Sequence, residues 1–427
     1  MRSFKYAAAV TAVLITSHAA LADDNTFDTT VLVANSADYD PQIIDPNMIN
    51  AWGIALRPPG AGGHIWVDDA RSGTSVEYIG DVNGQPLHQD GLTVVPLDIA
   101  GFADKGYASV TGLAYNAASD LPGQAVEFPV SGPATNDSTN PPTSAGIDSG
   151  SAKFIFVTKD GTINAWRTNT ASAMNTAPVV INYSKTAPSH PFTANPVFTG
   201  VAMSTHAVTS TDPALGNKLY ATDFRNNNIE VFNNQWTDIT SSVQFATPAT
   251  VGDLHNFNVM DLAGHLFVTY ATWDPASDEG FEDIPGEGHL VEYNEDGSLV
   301  KDFSGGDLNS PWGVAIAPAG FGKFGGDILV SNFGDGSIAA FDPLSGNFID
   351  DLRDSNGDPL AIDGLWGLTF GNGVSLGDAN TLYYTAGPNG EQDGLLGKVT
   401  VAVPEPASMS LLFAGSILLL ARRRRRT

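Results

Sequence analysis

The chain has 427 residues, 47 of them acidic against 20 basic, a net charge of −27 and no cysteine. Seven of the basic residues but only one acid lie in the terminal segments 1–22 and 403–427, so the part between them is more acidic still. Such a surface repels nucleic acid and anionic membranes and attracts cations, and the missing thiols exclude disulfides, cysteine nucleophiles, Cys-type zinc sites and iron–sulfur clusters.

At the start, Arg2 and Lys5 precede an apolar run from Tyr6 to Ile15, and Ala20-Leu21-Ala22 offers a small-residue cleavage site. That pattern predicts a secretory signal peptide over 1–22, removed by a signal peptidase. Next comes TTVLVA, from Thr29 to Ala34, a strand with no partner nearby in sequence.

From there one element returns: Trp52-Gly53-Ile54-Ala55-Leu56, Thr111-Gly112-Leu113-Ala114-Tyr115, Thr199-Gly200-Val201-Ala202-Met203, Trp312-Gly313-Val314-Ala315-Ile316 and Trp366-Gly367-Leu368-Thr369-Phe370. A weaker copy, Asn258 to Leu262, fills the long gap before Trp312. Each copy is followed by a second strand (HIWVDD from His64, KFIFVT from Lys153, KLYATD from Lys218, HLFVTY from His265, DILVSN from Asp327, TLYYTA from Thr381). Turns such as Lys159-Asp160-Gly161-Thr162 and Gly334-Asp335-Gly336-Ser337 lead to a third, because Asp-Gly supplies the positive φ that hairpin turns need. One unit cannot cover both faces of its sheet, whereas a ring of them does. The expectation is an all-β, six-bladed β-propeller over 27–402. Glycine suits the crowded inner strands, and TTVLVA is expected to close the ring beside GKVTVA, Gly397 to Ala402. Between the strands, Pro129 to Ser151 lacks periodicity and reads as an exposed flexible loop. The sequons at Asn136 and Asn182 carry little weight on a bacterial export route.

The chain ends in Pro404-Glu405-Pro406, an apolar run from Ala407 to Ala421, and Arg422 to Arg426. Fifteen helical residues span roughly 22 Å, short of the roughly 30 Å hydrocarbon core, but arginine stems reach the headgroups and favour the cytoplasmic side. A single short transmembrane helix is therefore predicted, serving as a transient inner-membrane anchor.

The segment 403–427 resembles the PEP-CTERM sorting signal of Gram-negative, exopolysaccharide-producing bacteria. The resemblance implies recognition by an exosortase, a membrane-embedded cysteine peptidase cutting near Pro404, Glu405 and Pro406. The stretch PWGVAIAP…DILVSNFGDGSIAAFDP resembles an NHL repeat. With ADKGYASVTGLAY, DLNSPWGVAIAP and LRDSNGDPLAIDGLWGL, most of 27–402 is similar to an exported propeller family often found with PEP-CTERM tails; that resemblance implies the fold and no activity.

Catalytic signatures such as GxSxG, the P-loop and HExxH are absent from the sequence. His64, His265 and His289 stand alone at strand starts. Asp354, Asn356 and Asp358 mimic the start of a calcium loop, yet Pro359 and Leu365 stand where such a loop needs Gly and Glu, so a turn is expected. Asp274, Asp278, Glu279, Glu282, Asp283 and Glu287 crowd a Gly-Pro-rich insertion; Asp278, Glu279, Glu282 and Asp283 are candidate ligands for Ca²⁺, against the alternative of a solvated acidic loop. Where the inner strands begin, Asn50, Thr199, Asn256, Asn309 and Asp363 are channel-mouth ligand candidates, or equally turn caps.

Two functions stay open. One is an exported, non-catalytic surface or matrix protein binding a polysaccharide, protein or cation; the other is a Ca²⁺-assisted hydrolase or lactonase, by fold analogy alone. A protein-interaction hub is a third, weaker reading.

Overall fold

Short apolar runs punctuated by 45 glycines and 26 prolines leave little room for helices, and strands dominate the computed structural model accordingly. It describes residues 26–58, 62–99, 106–120, 123, 125–135, 146–169, 172–183, 194–204, 216–277 and 280–402. The expected signal peptide and the expected membrane helix lie outside these residues. Among the described residues no helix is long and apolar enough to cross a membrane.

The described strands form seven sheets. Sheet 1 opens with Ala51–Leu56 and continues through Ile65–Asp69, Thr74–Tyr78 and Val94–Pro96. Sheet 2 opens with Val110–Tyr115, sheet 3 with Phe198–Met203, sheet 4 with His255–Leu262, sheet 5 with Pro311–Ile316 and sheet 6 with Leu365–Phe370. Each opening strand lies beside that of the next sheet, and that of sheet 6 beside that of sheet 1. The arrangement is β-propeller-like. Its last sheet is completed from the other end of the sequence, since Phe27–Ala34 runs antiparallel to Leu395–Val401, with Phe27 opposite Val401 and Ala34 opposite Leu395.

Second strands are buried at every residue in Ile65–Asp69, Phe154–Thr158, Ile328–Asn332 and Leu382–Ala386. Neighbouring sheets cover both of their faces, which is why they read as continuous apolar runs. The outermost strand of sheet 5, Phe348–Asp351, is only half-buried and carries two acids.

The opening strands share one irregularity. In sheets 1, 5 and 6 the pairing skips the Trp-Gly step, passing from Ala51–Asp69 to Ile54–Val67, from Pro311–Asn332 to Val314–Val330 and from Leu365–Ala386 to Leu368–Tyr384. Comparable shifts fall at Thr111, Thr199 and Phe257 in sheets 2, 3 and 4. Such a bulge re-aims the side chain that it carries. The glycine beside it permits close approach: a Cβ on Gly200 would stand 2.8 Å from the Asn258 Cα of the next sheet.

The seventh sheet corrects an expectation. Pro129–Thr135 and Gly146–Ser151 are antiparallel strands, joined by Ala173–Met174, and not a flexible loop along their whole length. Their small polar residues hid the pattern. What holds them is side-chain chemistry: Arg167 Nε binds Asp148 Oδ1 at 2.8 Å, and the buried Glu127 accepts the Asn217 N–H at 2.7 Å and its Nδ2 at 2.6 Å.

Candidate functional site

The bulged residues converge on the ring axis at the end where the opening strands begin. Trp52 stacks on Trp366 with centroids 3.7 Å apart, and Trp312 meets both edge-on at 6.5 and 6.2 Å. Phe257 reaches Trp366 at 6.0 Å. Sheets 1 and 5 are not neighbours, nor are sheets 4 and 6, so rings that touch across them occupy the axis itself. All four are buried. Stacked and edge-to-face pairs of this kind add about 0.5–1.5 kcal/mol each beyond area burial. Indole donors tie the plug to the ring: Trp312 Nε1 donates to the Thr199 carbonyl of sheet 3 at 2.8 Å, and Trp366 Nε1 to Asn50 Oδ1 at 3.1 Å. The Lys159 ammonium sits 5.0 Å from the Trp52 ring centre.

The five channel-mouth candidates lie around this plug in different states. Asn50 has a left-handed φ of 55° and spends its amide oxygen on Trp366. Thr199 donates its hydroxyl to the Phe257 carbonyl at 2.5 Å. Asp363 is exposed and accepts the Asn389 N–H at 3.0 Å. Asn256 and Asn309 are buried, and each keeps an amide oxygen with no hydrogen-bond partner.

Of the acidic insertion, Asp278 and Glu279 lie outside the described residues, as does the Glu282 side chain. Asp274 accepts the Ala276 N–H at 2.8 Å, Asp283 the Ser310 hydroxyl at 2.7 Å and Glu287 the Thr272 hydroxyl at 3.0 Å. Among the described residues no group of three or more His, Asp or Glu is placed to hold a metal ion. Asp354 closes an Asx turn by accepting the Asn356 and Asp358 N–H groups at 2.8 and 3.1 Å. The three histidines each face acids: His64 meets Asp90 at 2.7 Å and Glu77 at 3.6 Å, His265 meets Glu292 at 3.3 Å, and His289 meets Asp302 at 2.6 Å.

Sequence reasoning missed the other end of the axis. Where the opening strands end, a cavity of about 330 Å³ is lined from five sheets, by Ile54, Leu113, Val201, Met203 and Met260, with Tyr115, Asp261 and Thr369 as polar members. The volume lies at the low end of the ligand-pocket range, and two methionines make the wall adaptable. The legible signal was the apolar residue after each glycine, which reads equally as strand core.

Two further cavities lie between sheets. One of about 350 Å³ is bordered by Arg57, His64, Asp90 and Lys153. Its cations are committed, since Arg57 and Lys153 both bind Asp120, the lysine at 2.5 Å. The other, of about 560 Å³, is bordered by Asp307, Asp335 and Asp351. Burial, reinforced by Asp350, Asp335 and Asp307 and opposed by Arg353, holds the Asp351 carboxyl above the ordinary range.

Residues 402–426 match the PEP-CTERM protein-sorting motif. The motif implies export, surface sorting and processing by an exosortase. The chain is 27% identical over 362 residues to an uncharacterized protein of Acanthamoeba polyphaga mimivirus, covering 83% of this chain and 76% of that one. A second mimivirus protein is 31% identical over 238 residues, covering 53% of this chain and 40% of that one. Among solved structures, a glucose dehydrogenase aligns with a TM-score of 0.46 at 10% identity, over 88% of this chain and 99% of that one. The GH93 α-L-arabinofuranosidase of Fusarium graminearum aligns with a TM-score of 0.43 at 12% identity, over 84% and 94%. Both are β-propeller proteins, and at this distance neither carries a functional argument.

Proposed function

We propose that the chain is an exported six-bladed propeller over 27–402, between a signal peptide at 1–22 and a sorting segment at 403–427, and that it works outside the cell as a non-catalytic binding protein. The cyclic order of six opening strands supports the blade count, and the sorting motif supports the destination. One observation carries the choice of binding over hydrolysis: four aromatic rings fill the axis at the level where a hydrolytic propeller would need space for ion and substrate. Binding then falls to the aliphatic cavity at the other end. Its lining suits an apolar side chain of a matrix protein, or a small apolar molecule, better than a hydrated polysaccharide.

A second reading, a Ca²⁺-assisted hydrolase, has one observation in its favour, the unpartnered amide oxygens of Asn256 and Asn309. The test is hydrolysis of lactones and esters with added Ca²⁺ and with chelator. The binding reading expects no chelator-sensitive turnover; turnover that disappears in Asn256→Ala and Asn309→Ala would overturn it.

A further inference from the structure

Successive sheets of the ring are joined near the axis by one recurring hydrogen bond. A side chain of one sheet donates to a main-chain carbonyl on the opening strand of the next. Thr111 Oγ1 reaches the Phe198 carbonyl at 2.7 Å, Thr199 Oγ1 the Phe257 carbonyl at 2.5 Å, and Asn258 Nδ2 the Trp312 carbonyl at 2.8 Å. Ser331 Oγ then reaches the Trp366 carbonyl, and Thr385 Oγ1 the Trp52 carbonyl, both at 2.5 Å. Those five bonds join sheet 2 to 3, 3 to 4, 4 to 5, 5 to 6 and 6 to 1. The remaining joint, from sheet 1 to sheet 2, has no hydroxyl or amide in that place. It has Asp68.

The equivalence is geometric. Ser331, Thr385 and Asp68 each sit on a second strand opposite a Trp-Gly bulge. Ser331 Oγ and Thr385 Oγ1 stand 2.8 Å from where a Cβ on Gly313 or Gly367 would be, and Asp68 Oδ2 stands 3.1 Å from the same point on Gly53. Asp68 is completely buried, and neither of its oxygens has a partner at full hydrogen-bond geometry, although the Ser75 hydroxyl lies close enough to favour the ionised form. The Ser75 hydroxyl is committed to the Val67 carbonyl at 3.0 Å. An ionised carboxylate only accepts and has nothing to give a carbonyl of the next sheet; a neutral carboxyl carries one O–H.

We propose that Asp68 is held in the fold as the neutral carboxylic acid and donates its proton to the Thr111 carbonyl of sheet 2, making a proton-dependent latch at the one joint that lacks a hydroxyl or amide. Thr111 precedes Gly112 as Trp52 and Trp366 precede their glycines, so its carbonyl is the acceptor assigned by position; the nearest main-chain atom of sheet 2 around Gly53 is the Gly112 Cα, 3.2 Å from where a Cβ would be. The surroundings favour the neutral form. Asp69 is the adjacent buried acid, with Oδ2 accepting the Thr74 hydroxyl at 3.3 Å, and Glu77 lies on the third strand facing His64. Asp45 accepts the Tyr78 hydroxyl at 2.7 Å. The cations near this joint are engaged elsewhere: Arg71 with Glu391 at 3.2 Å, His64 with Asp90, and Lys159 over the Trp52 ring. Burial pushes the Asp68 carboxyl well above the carboxylate range against the opposing Ser75 hydroxyl; burial does the same at Asp69, helped there by Asp68 and Asp45 and opposed by the Thr74 hydroxyl.

The sign follows from linkage. A carboxyl whose folded value is raised stabilises the fold in its protonated form; that contribution is complete below about pH 3.9 and is lost as pH rises toward the folded value. The test is the unfolding equilibrium of the full chain between pH 4 and 8, compared with Asp68→Asn and Asp68→Thr, with Asp69→Asn made alongside because the two acids interact. The proposal expects the unfolding constant of the unaltered chain to rise by about tenfold per pH unit relative to either Asp68 variant. It also expects Asp68→Thr to fold, since threonine serves the same joint elsewhere in the ring. Parallel pH profiles for the unaltered chain and the Asp68 variants would overturn it. Where the Asp68 variants fail to fold, infrared spectroscopy of Asp69→Asn decides: a protonated carboxylic acid band that persists at pH 7 without Asp69 supports the latch, and its absence refutes it.

Discussion

At one end of the axis Trp52, Phe257, Trp312 and Trp366 meet ring to ring; at the other, Ile54, Leu113, Val201 and Met203 stand back around a cavity of about 330 Å³. The same opening strands build both ends, and the Trp-Gly bulge divides them. Before the glycine the bulge throws a large ring inward; after it the strand returns to regular pairing and presents medium-sized aliphatic residues. The difference separates two tasks within one strand. The aromatic end holds the ring together, and the aliphatic end is left open.

The largest expected effect comes from breaking the aromatic end. Trp366→Ala removes the ring that touches Trp52, Trp312, Phe257 and Phe333, and should cost about 3–5 kcal/mol in denaturant unfolding. A loss under 1 kcal/mol would mean that the plug does not hold the ring. Next is Thr385→Val, which keeps the shape and leaves the buried Trp52 carbonyl without its donor; about 1–3 kcal/mol is expected, read from the midpoint at unchanged slope.

A pair away from the axis sets the scale for rim effects. Arg353, with help from Lys323, lowers the Asp350 carboxyl to about 2. The stability from this pair is present above about pH 3.9 and lost as pH falls through about 2. Because Asp350 and Arg353 are partly exposed, Arg353→Ala should cost only about 0–1 kcal/mol at pH 7. The smallest effect on stability is expected for Thr369→Trp, which fills the open cavity instead of enlarging a packed one, within about 0.5 kcal/mol. That variant matters for binding.

Much of this architecture is legible in the sequence. The recurrence of Trp-Gly or Thr-Gly before an apolar triplet marks the opening strands, and the lone TTVLVA marks the strand that completes sheet 6. The role of the tryptophans is not legible, because a bulge shifts pairing by one residue and no local pattern says which way a ring then points. At Asn50 and Thr199 the sequence left ligand and cap open for the same reason: these groups are drawn into bonds with Trp366 and Phe257 that are far away in sequence. The inserted sheet escaped notice because Ser, Gly and Asp strands lack an apolar face. Asp68 was hidden inside HIWVDD, where it reads as the end of a strand until its position is compared with Ser331 and Thr385.

The most direct measurement of the division between the two ends is equilibrium binding of Nile red, a neutral apolar probe, to the unaltered chain, to Thr369→Trp and to the double variant Asn256→Ala/Asn309→Ala. The account predicts saturable one-to-one binding that Thr369→Trp abolishes and the double variant leaves intact. Binding that survives in Thr369→Trp and disappears in the double variant would contradict it, and would return the site to the aromatic end of the axis.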